Sequence, residues 1–185
     1  MTTIRPATRA DVELILEFIR GLAEYERAPE LAVATAADII RDGFSENPKF
    51  CVVIAEWEGQ PAGFAFFFYN YSTWLGKPGI YLEDLFVRPE YRGKGIGKAL
   101  LVHVAQIAVR ENCYGMRWQV LDWNTPSIEF YESLGAMKSF TLIEQKNGES
   151  NQTLRYRTVF GNEAWIHQFI LTPDGKITGL DLEPE

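Results

Sequence analysis

Arg92-Gly93-Lys94-Gly95-Ile96-Gly97 is the stretch from which the fold can be read. Ahead of it, Ile80 to Val87 is apolar except for Glu83 and Asp84, the composition of a buried strand. Behind it, Ile96, Leu100, Val104, Ile107 and Ala108 recur at helical spacing toward Asn112. Glycines between a strand and a helix let the backbone turn its N–H groups toward a ligand. The helix start adds unpaired N–H donors and the positive end of a dipole. Arg88, Arg92, Lys94 and Lys98 surround the turn. The combination reads as a cradle for a pyrophosphate. Two common nucleotide loops fit badly: Gly93-Lys94 is followed by Gly95 where a Walker A loop needs Ser or Thr, and Lys98 stands where a Rossmann fingerprint needs its third glycine.

This basic island lies in an acidic chain. Of 185 residues, 18 are Lys or Arg and 25 are Asp or Glu, for a net charge of −7. That balance disfavours nonspecific nucleic-acid binding, which needs basic surface, and favours cationic partners. At ~150 residues per domain the chain is one domain, or one with a small appendage. An apolar run such as Phe64 to Tyr69, which no other run exceeds, is far short of the ~20 residues of a membrane span. Cys51 and Cys113 sit in apolar runs and read as free thiols in a reducing cytoplasm. No His/Cys cluster has metal-ligand spacing, so no metal is expected.

Outward from the glycine turn, Thr8 with Asp11 caps a helix carrying Val12, Ile15, Leu16, Ile19 and Leu22. A short helix is expected from Thr35 to Asp42. Strands are expected at Phe50 to Trp57 and Ala62 to Tyr71, joined by the turn Glu58-Gly59-Gln60-Pro61. Ser72 to Gly79 reads as a loop. Met116 to Leu121 reads as a strand, and Thr125 with Pro126 as a helix start. A strand follows at Phe140 to Glu144. Past the polar break Lys146 to Ser150, Thr153 to Phe160, Ala164 to Leu171 and Lys176 to Leu182 read as a three-stranded meander, with turns at Gly161-Asn162 and Pro173-Asp174-Gly175.

Arg92-x-x-Gly95-x-Gly97, with Leu85-Phe86-Val87-Arg88-Pro89-Glu90-Tyr91 ahead of it, resembles the acetyl-CoA loop of the Gcn5-related N-acetyltransferase (GNAT) superfamily. Asn124-Thr125-Pro126-Ser127-Ile128-Glu129-Phe130-Tyr131 resembles that family's second signature, and Ile4-Arg5-Pro6-Ala7-Thr8 its opening. Within the superfamily, Tyr69 to Lys77, Tyr81 to Val87 and Tyr25-Glu26 are most similar to diamine acetyltransferases of the spermidine/spermine or thialysine type. Ser72 stands where the polyamine enzymes tend to carry an acid, which leaves room for a shorter, lysine-like amine.

The resemblance implies an α+β fold, a mixed, mostly antiparallel twisted sheet flanked by helices. Its acetyltransferase domain would span residues 1–145, with 146–185 as a C-terminal β extension packed on the domain or across a homodimer. It implies acetyl-CoA in a V-shaped opening between the strands at Ile80 to Val87 and Met116 to Leu121. Leu85, Phe86, Val87, Arg92, Gly93, Lys94, Gly95, Ile96, Gly97, Lys98, Asn124 and Ser127 would hold it.

It also implies a small cationic amine as substrate, with Tyr25, Glu26, Trp74, Glu83 and Asp84 around it, Glu83 as base and Tyr131 as acid. The chemistry agrees. A primary amine with pKa ~10.4 must lose a proton before it attacks, and a phenol with pKa ~10 stays protonated and can donate. Strict strand alternation puts Glu83 and Asp84 on opposite faces, so both can meet one cleft only through a bulge. Residues Asn70 to Gly79 read as a lid, which disfavours a peptide substrate. Acetyl transfer to a protein, and a CoA-binding sensor without turnover, are the alternatives.

Overall fold

Val52-Val53-Ile54-Ala55 is apolar on both faces, so its strand needs cover on both sides. The computed structural model supplies that cover. It describes residues 1–133 and the backbone of 137–147, 152–160, 163–171 and 177–184. Strands β1 (Thr2–Pro6), β2 (Cys51–Trp57), β3 (Gln60–Ser72), β4 (Lys77–Val87) and β5 (Met116–Arg117) form one sheet in that order. The first four are antiparallel to their neighbours, and β5 runs parallel to β4. Helices α1 (Val12–Tyr25) and α2 (Ala36–Gly43) cover one face, where Val52, Ile54 and Phe64 pack with Ile15, Phe18 and Ile39. Helix α3 (Ile96–Arg110) covers the other, where Val53, Ala55 and Phe67 pack with Leu100 and Val104. The fold is α+β, as the motifs imply.

Local chemistry sets the boundaries. Thr8 and Asp11 form the expected capping box, with a 3-10 turn ahead of α1. Thr35 caps α2 and accepts from the Asp38 amide at 3.3 Å. Glu58 and Gly59 both take positive φ (52° and 79°), the geometry a tight β2–β3 turn needs.

Three expectations change. The lid at Asn70 to Gly79 is largely a β-hairpin: Asn70 pairs with Gly79, Tyr71 with Pro78 and Ser72 with Lys77. Ladder hydrogen bonds continue the flanking strands, so only a short turn at Thr73 to Gly76 is left. The strand at Met116 to Leu121 stops at Arg117, after pairing Met116 with Ile80 and Arg117 with Tyr81. Beyond it β4 bulges, and the two strands part. Helix α4 (Thr125–Ser133) is capped by Asn124 rather than Thr125: the Asn124 carbonyl accepts from Ser127 and Ile128, and its Oδ1 from Ser127.

The remaining strands, β6 (Met137–Asn147), β7 (Gln152–Phe160), β8 (Glu163–Leu171) and β9 (Ile177–Pro184), form a second antiparallel sheet in sequential order. The strand expected at Phe140 to Glu144 is longer than its apolar core and pairs with β7, making the expected three-stranded meander four-stranded. The helix end expected at Gly135 and the turns at Gly161-Asn162 and Pro173 to Gly175 lie outside the described residues.

Candidate active site

The bulge in β4 builds the site. Phe66 pairs with Asp84 and Phe67 with Leu82, so Glu83 is the extra residue in the ladder. The side chains change phase across it. Ile80 and Leu82 face α3, and beyond the bulge it is Leu85 and Val87 that do so, while Phe86 packs with α1. Glu83 and Asp84 therefore both stand on the α1 side, as only a bulge allows. Where β5 leaves β4, a cleft of about 990 Å³ opens, lined by Leu82 to Val87 on one wall and by Trp118 to Leu121 on the other.

One end of the cleft is acidic. Glu26, Glu83 and Asp84 line it. Burial, then the nearby Glu83 and Glu26 charges, push the Asp84 carboxyl up to about 7. Burial also raises Glu26. Tyr131 lines the same cleft, half-buried, its ring 5.2 Å from Trp118 and 5.1 Å from Phe130. Burial pushes its phenol up to about 12, so it holds its proton at neutral pH.

The other end is the glycine turn. Gly93 and Gly95 take φ of +75° and +78°, and a Cβ on either would meet no protein atom within 4 Å. The next bonded amide is Ala99, which reaches back to the Gly95 carbonyl. Among the described residues, the amides from Gly93 through Lys98 donate to no protein acceptor. Unpaired N–H groups around an open concavity at a helix start suit a phosphate group.

The basic side chains divide. Arg92 and Lys98 line the cleft. Arg92 donates from Nε to the Val87 carbonyl at 3.0 Å and lies 4.7 Å over the Tyr25 ring. Lys94 does not line the cleft: its ammonium lies 5.2 Å over the Trp57 ring and 5.1 Å over Tyr91. Arg88, expected at the cradle, instead meets Glu17 at 2.6 Å and the Pro61 carbonyl at 3.0 Å.

Among the residues expected around the amine, Tyr25, Glu26, Glu83 and Asp84 come together. Trp74 does not. It sits in the β3–β4 turn, 97% exposed, away from the cleft. Asn124 and Ser127, expected to hold the cofactor, line the cleft together with Leu85, Phe86, Val87, Ile96 and Gly97. Trp118 and Phe130 also line it without having been singled out. Phe130 adjoins Tyr131 within the second signature, which is the one hint the sequence offers. Trp118 falls in the segment that reads as strand, and only the parting of β5 turns it to the cleft. Among the described residues no group of His, Cys, Asp and Glu is arranged to hold a metal ion.

A mixed sheet that parts beside a glycine turn is the frame that the resemblance implies. Comparison makes the class definite: the chain matches the acetyltransferase (GNAT) family over residues 15–136 and belongs to it. It is an N-acetyltransferase. A thialysine N-epsilon-acetyltransferase of Sus scrofa is 41% identical over 141 residues, covering 72% of this chain and 82% of the relative. The L-ornithine N5-acetyltransferase NATA1 of Arabidopsis thaliana is 33% identical over 178 residues, covering 72% and 78%. Among solved structures, an aminoglycoside acetyltransferase from an uncultured soil metagenomic sample superimposes with a TM-score of 0.66 at 17% identity, covering 80% of this chain and 95% of that one, a likeness of fold.

Proposed function

We propose that the protein transfers the acetyl group of acetyl-CoA to a primary amine of a small cationic metabolite, a diamine or a lysine- or ornithine-like amino acid, by direct attack in a ternary complex. The observation that carries this reading is the shared cleft: Glu26, Glu83 and Asp84 at one end, the open amides of Gly93 through Lys98 at the other, and Tyr131 on the lining. Relatives that act on thialysine and ornithine support the substrate class.

Acetyl-CoA, when bound, supplies the thioester that is broken and the acetyl group that moves. The Gly93 to Lys98 amides and Lys98 would hold its phosphates, and the β5-side edge of β4 from Leu85 to Val87, past Tyr81 without a strand partner among the described residues, would pair with an extended arm, the Val87 carbonyl already accepting from Arg92 Nε. Glu26, Glu83 and Asp84 attract the ammonium. Glu83, exposed at the cleft, takes the amine's proton on a carboxylate oxygen, directly or through water, so that the nitrogen lone pair is free to attack. The C–N bond forms as the C–S bond breaks; the Tyr131 hydroxyl gives its proton to the departing sulfur, and the second proton shed by the acylated nitrogen restores the phenol through water, while Glu83 releases its proton to solvent.

A cytoplasmic homodimer that binds neither nucleic acid nor membrane belongs to the same proposal. The charge of −7 and the exposed apolar side chains of Tyr71, Trp74 and Leu75 at the β3–β4 hairpin tip support it.

The test is thiol release from acetyl-CoA against spermidine, putrescine, lysine, ornithine, thialysine and a basic peptide, beside Tyr131→Phe. Amine-dependent release that falls ~10²-fold or more in the variant supports the reading. Release with the peptide alone would favour a protein acetyltransferase. Tight acetyl-CoA binding with no release would favour a sensor.

A further inference from the structure

Tyr25 stands where an aromatic wall for the amine is expected, yet its polar atom is committed elsewhere. Its hydroxyl lies 2.8 Å from Asn124 Oδ1, a contact between the end of α1 and the start of α4. The Ser127 amide lies 3.3 Å from the same atom. A backbone N–H can only donate, so the atom between them is the amide oxygen and the Tyr25 hydroxyl is the donor. Asn124 is the buried polar side chain of the described core, 5% exposed. With its oxygen doubly held, its Nδ2 group remains as a donor on the cleft lining, and the described hydrogen bonds give it no protein acceptor.

The ring of Tyr25 has a second contact. The Arg92 guanidinium lies 4.7 Å above it, tied from Nε to the Val87 carbonyl at the foot of the glycine turn. Two residues on, Arg27 takes a left-handed backbone (φ 62°) and lies 5.1 Å over Trp123, beside Asn124. The end of α1 is thus fastened to both sides of the cosubstrate end of the cleft.

We infer that Tyr25 is a positioning residue for acetyl-CoA: its hydroxyl orients the Asn124 amide so that Nδ2 is offered to a carbonyl of the bound molecule, and its ring seats Arg92 beside the phosphate cradle. This rests on the acetyl-CoA reading above. Glu26, the next residue, lines the acidic end, so one short segment serves both ends of the cleft.

The experiment is calorimetric titration of CoA into the parent, Tyr25→Phe, Asn124→Ser and the double variant, with amine KM measured at saturating acetyl-CoA. Phenylalanine keeps the ring over which Arg92 lies, and serine keeps an acceptor for the α4 amides. Tyr25→Phe is expected to weaken CoA binding about tenfold, the scale of one well-placed hydrogen bond. In the Asn124→Ser background the same change should cost less than about twofold, because the amide it orients is gone. Amine KM should stay within about twofold of the parent. Unchanged CoA affinity in Tyr25→Phe overturns the inference, as does an equal loss in both backgrounds or a defect confined to amine KM. A parent that does not bind CoA overturns the acetyl-CoA reading, and this inference with it.

Discussion

Glu83 and Asp84 stand on one face of β4 although they are neighbours in sequence, because the ladder with β3 passes from Leu82 to Asp84 without pairing Glu83. Burial first, and then the like charges of Glu83 and Glu26, raise the cost of ionising the more enclosed acid. Asp84 is that acid, held at about 7.

The stability consequence has a definite sign. Between the ordinary carboxylate range near pH 4 and about pH 7, folded Asp84 keeps a proton that the unfolded chain has lost. Stability therefore falls as pH rises through that window. Asparagine mimics the neutral acid. Asp84→Asn should melt a few degrees above the parent at pH 8 and by a clearly smaller margin at pH 5, while amine turnover drops. Thermal melts at the two pH values check this, and an equal shift at both would contradict it.

Arg88 belongs to the basic island by sequence and to the scaffold by contact, since it ties β4 to Glu17 on α1 and to the Pro61 carbonyl. Arg88→Ala is expected to cost about 1–2 kcal/mol, the sum of a partly exposed ion pair and one hydrogen bond. CoA affinity should stay within about twofold. Urea unfolding beside CoA titration separates the two effects.

Gly95 is the reverse case. Its φ of +78° strains any other residue, at about 1–2 kcal/mol, but an added Cβ meets no protein atom. Gly95→Ala should therefore fold, and should bind CoA at least about tenfold more weakly because the methyl group occupies the cradle. A melt and a CoA titration on the same sample would show the two outcomes together.

Phe64 is fully buried and stacks on Phe18 at 5.3 Å, joining β3 to α1 behind Phe86. Phe64→Ala should destabilise by about 3–5 kcal/mol, as measured by denaturant unfolding. Phe86, which lines the cleft, would lose support, so CoA affinity should fall as well.

Much of this was legible in the chain. The capping box at Thr8, the short helix from Thr35, the Glu58-Gly59 turn, and the strand, glycine turn and helix around Arg92 are local. Backbone sterics and short-range hydrogen bonds decide them, and residues a few positions apart carry the information. The apolar period of α3 and the two-faced apolar run of β2 are likewise written in spacing. Glu83, Asn124 and Tyr131, which line the cleft, stand out in the sequence through their motifs.

The rest depended on pairings between residues far apart. Alternation within β4 places Asp84 away from Glu83; the bulge appears only when β4 is laid against β3, since register is a property of two strands. The parting of β5 after Arg117, the hairpin that replaces the lid, and the division of basic side chains between cradle and scaffold follow in the same way. Tyr25 and Asn124 are 99 residues apart, and nothing in either neighbourhood announces their hydrogen bond. Local chemistry chose the elements and the reactive groups, and packing chose which of those groups face one another across the cleft.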